Sequence, residues 1–185
     1  MQKALRKAWL RTLAVLFTLS PGMASAQAAT PATSATDVIA TEIQAAVKRA
    51  IQELGPGVTV SDHLISLPDM GRYNVGIAVI AQPAGSSQSY LSHDKITEVY
   101  YILRGSGTQV TGTMVDGKRG NTVSLTIGPS LSSTSPLQNS HSSKLGPGDV
   151  QIIPPGLGHG WSSIDAGGIE CLTFRVDPDH VLALQ

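Results

Sequence analysis

The chain is poor in cysteine, charge, aromatic residues and long apolar runs, and each shortage excludes something. Of 185 residues only Cys171 is a cysteine, so no internal disulfide can form. Asp, Glu, Lys and Arg together make up 14% of the chain, 13 of each sign, and the basic residues are scattered. No basic stripe or patch exists for nucleic acid or an anionic membrane surface. The most apolar early segment, Thr12 to Leu19, is about eight residues long, far below the roughly 20 that a membrane span needs. Aromatic residues account for only 4%, so aliphatic residues must carry the core.

Acidic residues are also missing from the whole stretch before Asp37, whereas Lys3, Arg6, Lys7 and Arg11 crowd the start. A basic start, a short apolar run and then Ala24-Ser25-Ala26 have the form of a secretory signal peptide, residues 1–26, cut after Ala26. An uncleaved anchor is the alternative. Export to a periplasm or beyond is therefore expected. Removing 26 residues leaves 159, enough for one domain, with nine basic and 13 acidic side chains and a net charge of −4.

Residues 27–36 are rich in Thr, Ala, Ser and Pro and read as a mobile leader. Residues 37–55 read as an amphipathic helix capped by Asp37, with Ile39, Ile43, Val47, Ala50, Ile51 and Leu54 at helical spacing and Gly55-Pro56-Gly57 ending it. From Val58 onward, short apolar runs alternate with Gly, Pro, Asn and Asp breaks. The expected strands are Val58–Ser61, Leu64–Leu67, Tyr73–Ala81, Ser89–Ser92, Glu98–Arg104, Thr108–Val115, Val123–Ile127, Val150–Ile153, His159–Ile164 and Ile169–Val176. This rhythm predicts an all-β domain over 58–178, a closed antiparallel sandwich or barrel. Gly128 to Lys144, dense in Ser and Thr without periodicity, is expected to be a long loop holding a solvated His141.

Two segments carry the chemistry. The first is Gly85-x5-Leu91-x-His93-x4-Glu98-x6-Gly105, and the second is Gly148-x5-Pro154-x-Gly156-x2-His159-x3-Ser163. With a period of two, Glu98, Tyr100 and Ile102 share one strand face. A carboxylate there is costly to bury unless a cation meets it. Pro154-Pro155-Gly156 forces a turn that delivers His159 to a strand end.

The two segments resemble the paired signatures of the cupin family, G-x5-H-x-H-x3,4-E-x6-G and G-x5-P-x-G-x2-H-x3-N, gap for gap. Leu91 stands where the first histidine would be, and Ser163 where the asparagine would be. The resemblance implies a cupin-type double-stranded β-helix (jelly-roll) barrel preceded by one helix. It also implies one divalent metal per chain, held by His93, Glu98 and His159, with Fe, Zn, Mn and Ni all compatible. Such a set leaves coordination positions open. The implied activity is metal-dependent chemistry on a small oxygenated substrate, as an oxygenase, isomerase or lyase. The alternative is a non-catalytic periplasmic protein binding a sugar, an organic acid or the metal itself.

Tyr100 shares the inward face and could act as general base or substrate donor, or simply line the barrel. Arg104 has the same parity but lies near the strand end, where it is expected to be solvated. Trp161 would wall the pocket or pack, and His63 is the nearest substitute for a fourth ligand. Cys171, in the apolar strand Ile169–Val176, reads as a buried, inert thiol. Cupin barrels commonly pair, and the helix offers an apolar stripe, so a homodimer is expected.

Overall fold

The computed structural model describes residues 34–184 apart from 86 and 88; the expected signal peptide and most of the leader lie outside the described residues. Helix α1 spans Ala40–Glu53. It is followed by β1 (Ser61–Ser66), β2 (Asn74–Gln82), β3 (Tyr90–His93), β4 (Thr97–Thr113), β5 (Ser130–Ser133), β6 (Gln138–Leu145), β7 (Val150–Ile153) and β8 (Gly158–Asp177). These eight strands form one curled sheet. Its path runs β1-β2-β8-β3-β5, with β4 pairing β6, β7 and β8. The all-β fold with one leading helix is as expected.

The helix does not start where Asp37 suggested. Ile39 is the cap residue, and the Glu42 carboxylate accepts a hydrogen bond from the Ile39 amide at 3.2 Å. The acidic group thus serves the helix start from within the first turn, where the helix dipole favours it. Ala46 and Ala50 are fully buried, because the helix lies on the outer face of the sheet against Val79, Ala81 and Leu172. The opposite parity of β2 and β8 faces inward: Ile80 and Cys171 join Tyr100, Ile102, Ile153, Trp161, Ile164 and Ile169 in the interior cluster. Strands β2 and β8 are therefore covered on both sides, and their near-continuous apolar letters follow from that. Each fully buried large aliphatic side chain among them stabilises the fold by about 1.5–3 kcal/mol relative to exposure.

Several expected boundaries are corrected. Gly105-Ser106-Gly107 does not end a strand; β4 runs through it for 17 residues, paired along nearly its full length with the 20-residue β8. The register shifts between Ile102 and Arg104, between Gly105 and Gly107, and between Thr108 and Gln109. The chain bends there rather than reversing, as bulges do. Gly105 (φ 78°) makes the bend possible, since a Cβ at this position would sit 2.0 Å from the Gly168 carbonyl oxygen. The His159–Ile164 and Ile169–Val176 runs likewise form one strand, and Val58–Ser61 and Leu64–Leu67 reduce to β1 alone.

The expected strand Val123–Ile127 is a turn with Val123 and Leu125 exposed. The expected loop Gly128–Lys144 contains β5 and most of β6. Strand β6 has almost no buried residues, so it shows no apolar alternation, yet it pairs with β4 from Gly107 to Thr113.

Candidate metal centre

Three elements deliver the site. His93 ends β3, Glu98 lies at the start of β4, and His159 lies at the start of β8. A tight connection over Asp94–Ile96 joins the first two, with Ile96 buried as its anchor. The Pro154–Gly156 turn supplies the third and is tied back to the site, because the Gly156 amide donates to the His93 carbonyl at 2.7 Å. All three side chains are almost fully buried, at 4%, 1% and 4% exposure.

Their ligating atoms converge. Glu98 Oε2 lies 3.2 Å from His93 Nε2 and 3.7 Å from His159 Nε2, and one ligand atom from each residue falls within 4.8 Å of the others. An ion 2.0–2.2 Å from each ligand would hold those atoms about 3.0–3.5 Å apart. The cluster is therefore within a small contraction of ligating geometry. His159 Nδ1–H donates to the Leu157 carbonyl at 3.1 Å, which leaves its Nε2 lone pair aimed at the cluster. Two imidazoles and one carboxylate are also a donor set that divalent first-row metals accept. The residues fit the ion that the sequence pattern implies.

The residue that sequence reasoning missed is Arg175. It sits directly opposite Glu98 in the β4–β8 ladder and has no exposed surface. Its Nε–H donates to Glu98 Oε1 at 2.8 Å. Its terminal nitrogens donate to Asp62 at 3.0 and 2.9 Å, and one of them also reaches the Thr126 carbonyl at 2.9 Å. Glu98 is thereby split: Oε1 belongs to the guanidinium and Oε2 faces the imidazoles. Burial alone would raise its pKa, but Arg175, with the two histidines, holds it well below the ordinary carboxylate range. The carboxylate stays ionised in the interior. A sequence signal did exist: in β8 the inward parity runs Cys171, Thr173, Arg175, Asp177, which places a charge on the core face of an apolar strand.

His159 is pushed the other way, down to about 4, first by burial and then by the nearby His93, with Glu98 opposing. It is neutral, and thus able to ligate, at ordinary pH. Leu91 shares the inward face of β3 with His93 and is paired in register with His159. Its side chain lines a cavity of about 50 Å³ together with Tyr100, His159 and Trp161, so the position of the missing histidine does face the site.

Tyr100 faces inward as expected. Burial, reinforced by the Glu98 charge, raises its pKa well above the usual phenol value, so it remains a hydroxyl donor and is a poor base. Trp161 is 2% exposed and packs in the interior cluster while walling the cavity. Arg104 points outward to solvent, 3.4 Å from Glu170. The β4 bulges beyond Ile102 end the simple alternation that put it on the inner face. His63 is engaged by Glu53 at 2.7 Å on the outside and takes no part. His141 is exposed, as expected, although on a strand. Burial raises the Cys171 thiol, in line with an inert core residue.

Comparison with known proteins decides the family. The family model described as Cupin matches residues 50–183, which is most of the chain. The chain is a cupin. No curated protein matches this cupin. Among solved structures, KdgF from Halomonas sp. is similar over 67% of this chain and 84% of its own, at 13% identity and a TM-score of 0.40. Pac13, a nucleoside dehydratase from Streptomyces, is similar over 64% of this chain and 69% of its own, at 12% identity and a TM-score of 0.40. The 11S globulin from Wrightia tinctoria matches 56% of this chain, which spans only 20% of that protein, at 13% identity and a TM-score of 0.39.

Proposed function

We propose that this cupin is an exported metalloenzyme acting on a small oxygenated molecule, with one divalent ion held by His93, Glu98 and His159. The observation that carries the proposal is the buried meeting of two imidazole nitrogens on one oxygen of a carboxylate kept ionised by Arg175. A bound ion would supply Lewis-acid or oxygen-binding chemistry at open coordination positions. Oxygenase, isomerase and lyase chemistry are all compatible with that set.

The protein's own groups support the same reading. Arg175, itself held by Asp62, orients Glu98, and the Leu157 carbonyl orients His159, so these two side chains are preorganised before any ion arrives. Tyr100 offers a protonated hydroxyl on the wall of the adjoining cavity. The basic start and the Ala24-Ser25-Ala26 segment support export. A homodimer goes with this reading, given the exposed Val150 and Ile152 on the outer face of β7, and light scattering tests it.

The decisive experiment is metal stoichiometry after chelator dialysis, for wild type and His159→Ala, followed by turnover of a substrate panel with metal removed and restored. Wild type should keep about one equivalent and His159→Ala none. Full retention by His159→Ala would place the ion elsewhere and end the proposal. Binding without turnover of any substrate would favour the non-catalytic alternative.

A further inference from the structure

Gln109 has no role in the site described so far. It lies on β4 beyond the last bulge, is 1% exposed, and neither atom of its side-chain amide has a hydrogen-bond partner among the described residues. A buried amide without partners opposes folding unless something meets it. Its side chain lines the 50 Å³ cavity beside His159, with Tyr100 on the same strand face and the Trp161 indole across the ladder. Gly107, one inward step earlier on β4, leaves room for that indole: a Cβ there would come within 2.8 Å of the ring.

The cavity has a distinct chemistry. Among the described residues, no Asp, Glu, Lys or Arg lines it, and His159 is its only titratable nitrogen base. Beside Leu91, Tyr100, His159 and Trp161, its lining carries the uncharged polar side chains of Gln109, Gln82, Ser87 and Ser89. One water needs about 10–15 Å³ of such space, so the cavity takes more than a single water but only the head of a substrate. A carboxylate or phosphate entering here would leave water without meeting a fixed positive side chain. A neutral group that carries both a donor and an acceptor would satisfy both ends of Gln109 at once.

We propose that Gln109 is the substrate-orienting residue of this centre and that it selects a neutral hydroxylated or amide-bearing head group over an anionic one. This rests on the metal-site reading for the chemistry; the binding preference is that of the metal-free cavity, because an ion held by His159 would add a positive charge beside it. The amide fixes which face of the head group turns toward His159, and the Tyr100 hydroxyl, which stays protonated, adds a second donor. Leu91, in place of a histidine, adds an uncharged apolar side chain to the lining.

The test uses the full metal-free chain, with lactamide as the neutral probe and lactate as its anionic counterpart, and zinc retention is measured separately. Side-chain amide resonances of Gln109 are followed by NMR, assigned by their loss in Gln109→Leu. Lactamide should move the Gln109 pair, and Gln109→Leu should weaken lactamide about tenfold or more, as expected for two lost hydrogen bonds. The same variant should change lactate less than twofold and should melt a few degrees higher, since a partnerless amide has gone. If Gln109→Leu fails to fold, Gln109→Asn, which draws the amide back by one methylene, should show the same loss for lactamide. Unmoved Gln109 resonances up to the solubility limit of lactamide would overturn the proposal, as would equal lactamide affinity in the variants. Zinc retained with Gln109-independent binding removes this proposal and leaves the metal site intact. Gln109-dependent binding in a protein that retains no metal does the reverse.

Discussion

Replacing Arg175 with methionine should be among the most damaging single changes available in this protein, and a divalent ion should partly undo it. The guanidinium is fully buried and supplies, among the described residues, the only fixed positive charge in contact with Glu98, itself 1% exposed. Removing one partner of a buried ion pair typically costs about 3–5 kcal/mol, because the other charge is left uncompensated. Asp62, which receives two of the guanidinium hydrogen bonds, is 20% exposed and can turn to water, so Glu98 dominates the loss. For a domain of this size each kcal/mol shifts the melting temperature by about 2–4 °C, giving a drop of roughly 10 °C in the metal-free protein.

Zinc at about a hundred times its dissociation constant adds about 2.7 kcal/mol to whichever folded state it binds. It should therefore restore much of the loss, and its stabilising effect should be larger in Arg175→Met than in wild type, since the ion then supplies the missing counter-charge. Arg175→Lys should fall between the two, because an ammonium cannot reach Glu98 and Asp62 in the same forked geometry. Adding Glu98→Gln to Arg175→Met should recover stability in the metal-free protein, with a coupling energy that a double-mutant cycle isolates. Differential scanning calorimetry with and without zinc reads all of this. A melting temperature for Arg175→Met within about 2 °C of wild type would refute the reasoning, and so would equal zinc stabilisation of both proteins.

Leu91→His should tighten metal retention, because the position faces the cavity beside His159; chelator competition measures it, and unchanged retention would mean the new imidazole cannot reach the ion. The metal-free protein should lose stability as pH falls: with the His159 pKa near 4 when folded and about 6.5 when unfolded, the unfolded state binds the proton first. That contribution is complete above pH 6.5 and is lost as pH falls through 4, on the order of 3 kcal/mol in all, and His159→Asn should flatten this part of a denaturant-midpoint curve against pH. Gly105→Ala should cost at least about 2 kcal/mol in urea unfolding, since it combines a strained positive φ with a clash on the Gly168 carbonyl.

The convergence of His93, Glu98 and His159 was legible because spacing survives where detail does not. Between His93 and Glu98 the chain has room only for a tight turn, and between Pro154 and His159 only for a turn and a strand start, so both intervals constrain geometry by themselves. Strand bounds were less legible, because Gly105-Ser106-Gly107 carries the letters of a turn and yet becomes a bulged bend inside β4. Nothing local distinguishes the two; the long β8 partner decides it. The same bulges hid Gln109, because counting by twos from Glu98 through Tyr100 and Ile102 reaches even-numbered residues, whereas beyond the bends the buried side is Gly107 and Gln109. Strands β5 and β6 escaped notice because their residues are mostly exposed or half-exposed, so backbone pairing with β3 and β4 holds them rather than an apolar face. Val123 and Leu125 erred in the opposite direction, with apolar letters left in solvent.

The two motif halves meet because the β4–β8 ladder curls back on itself: Glu98 pairs with Arg175 and His159 with Thr111 at the other end, yet Glu98 and His159 come within 3.7 Å, with β3 paired to the start of β8 through Leu91. Glu98, Tyr100 and Gln109 come from β4; His159 and Arg175 come from opposite ends of β8; only His93 is brought from outside, on the short β3. Each bulge bends the strand and re-aims its inward residues. The centre therefore has a charged side, where Arg175 keeps Glu98 ionised, and an uncharged side beyond His159, where Gln109 and Tyr100 face the cavity. On the proposed reading, ion affinity would be set mainly at the first and substrate preference at the second. Substitutions at Arg175 should thus move stability and metal retention while leaving the choice between lactamide and lactate in the metal-free protein unchanged, and substitutions at Gln109 should do the opposite.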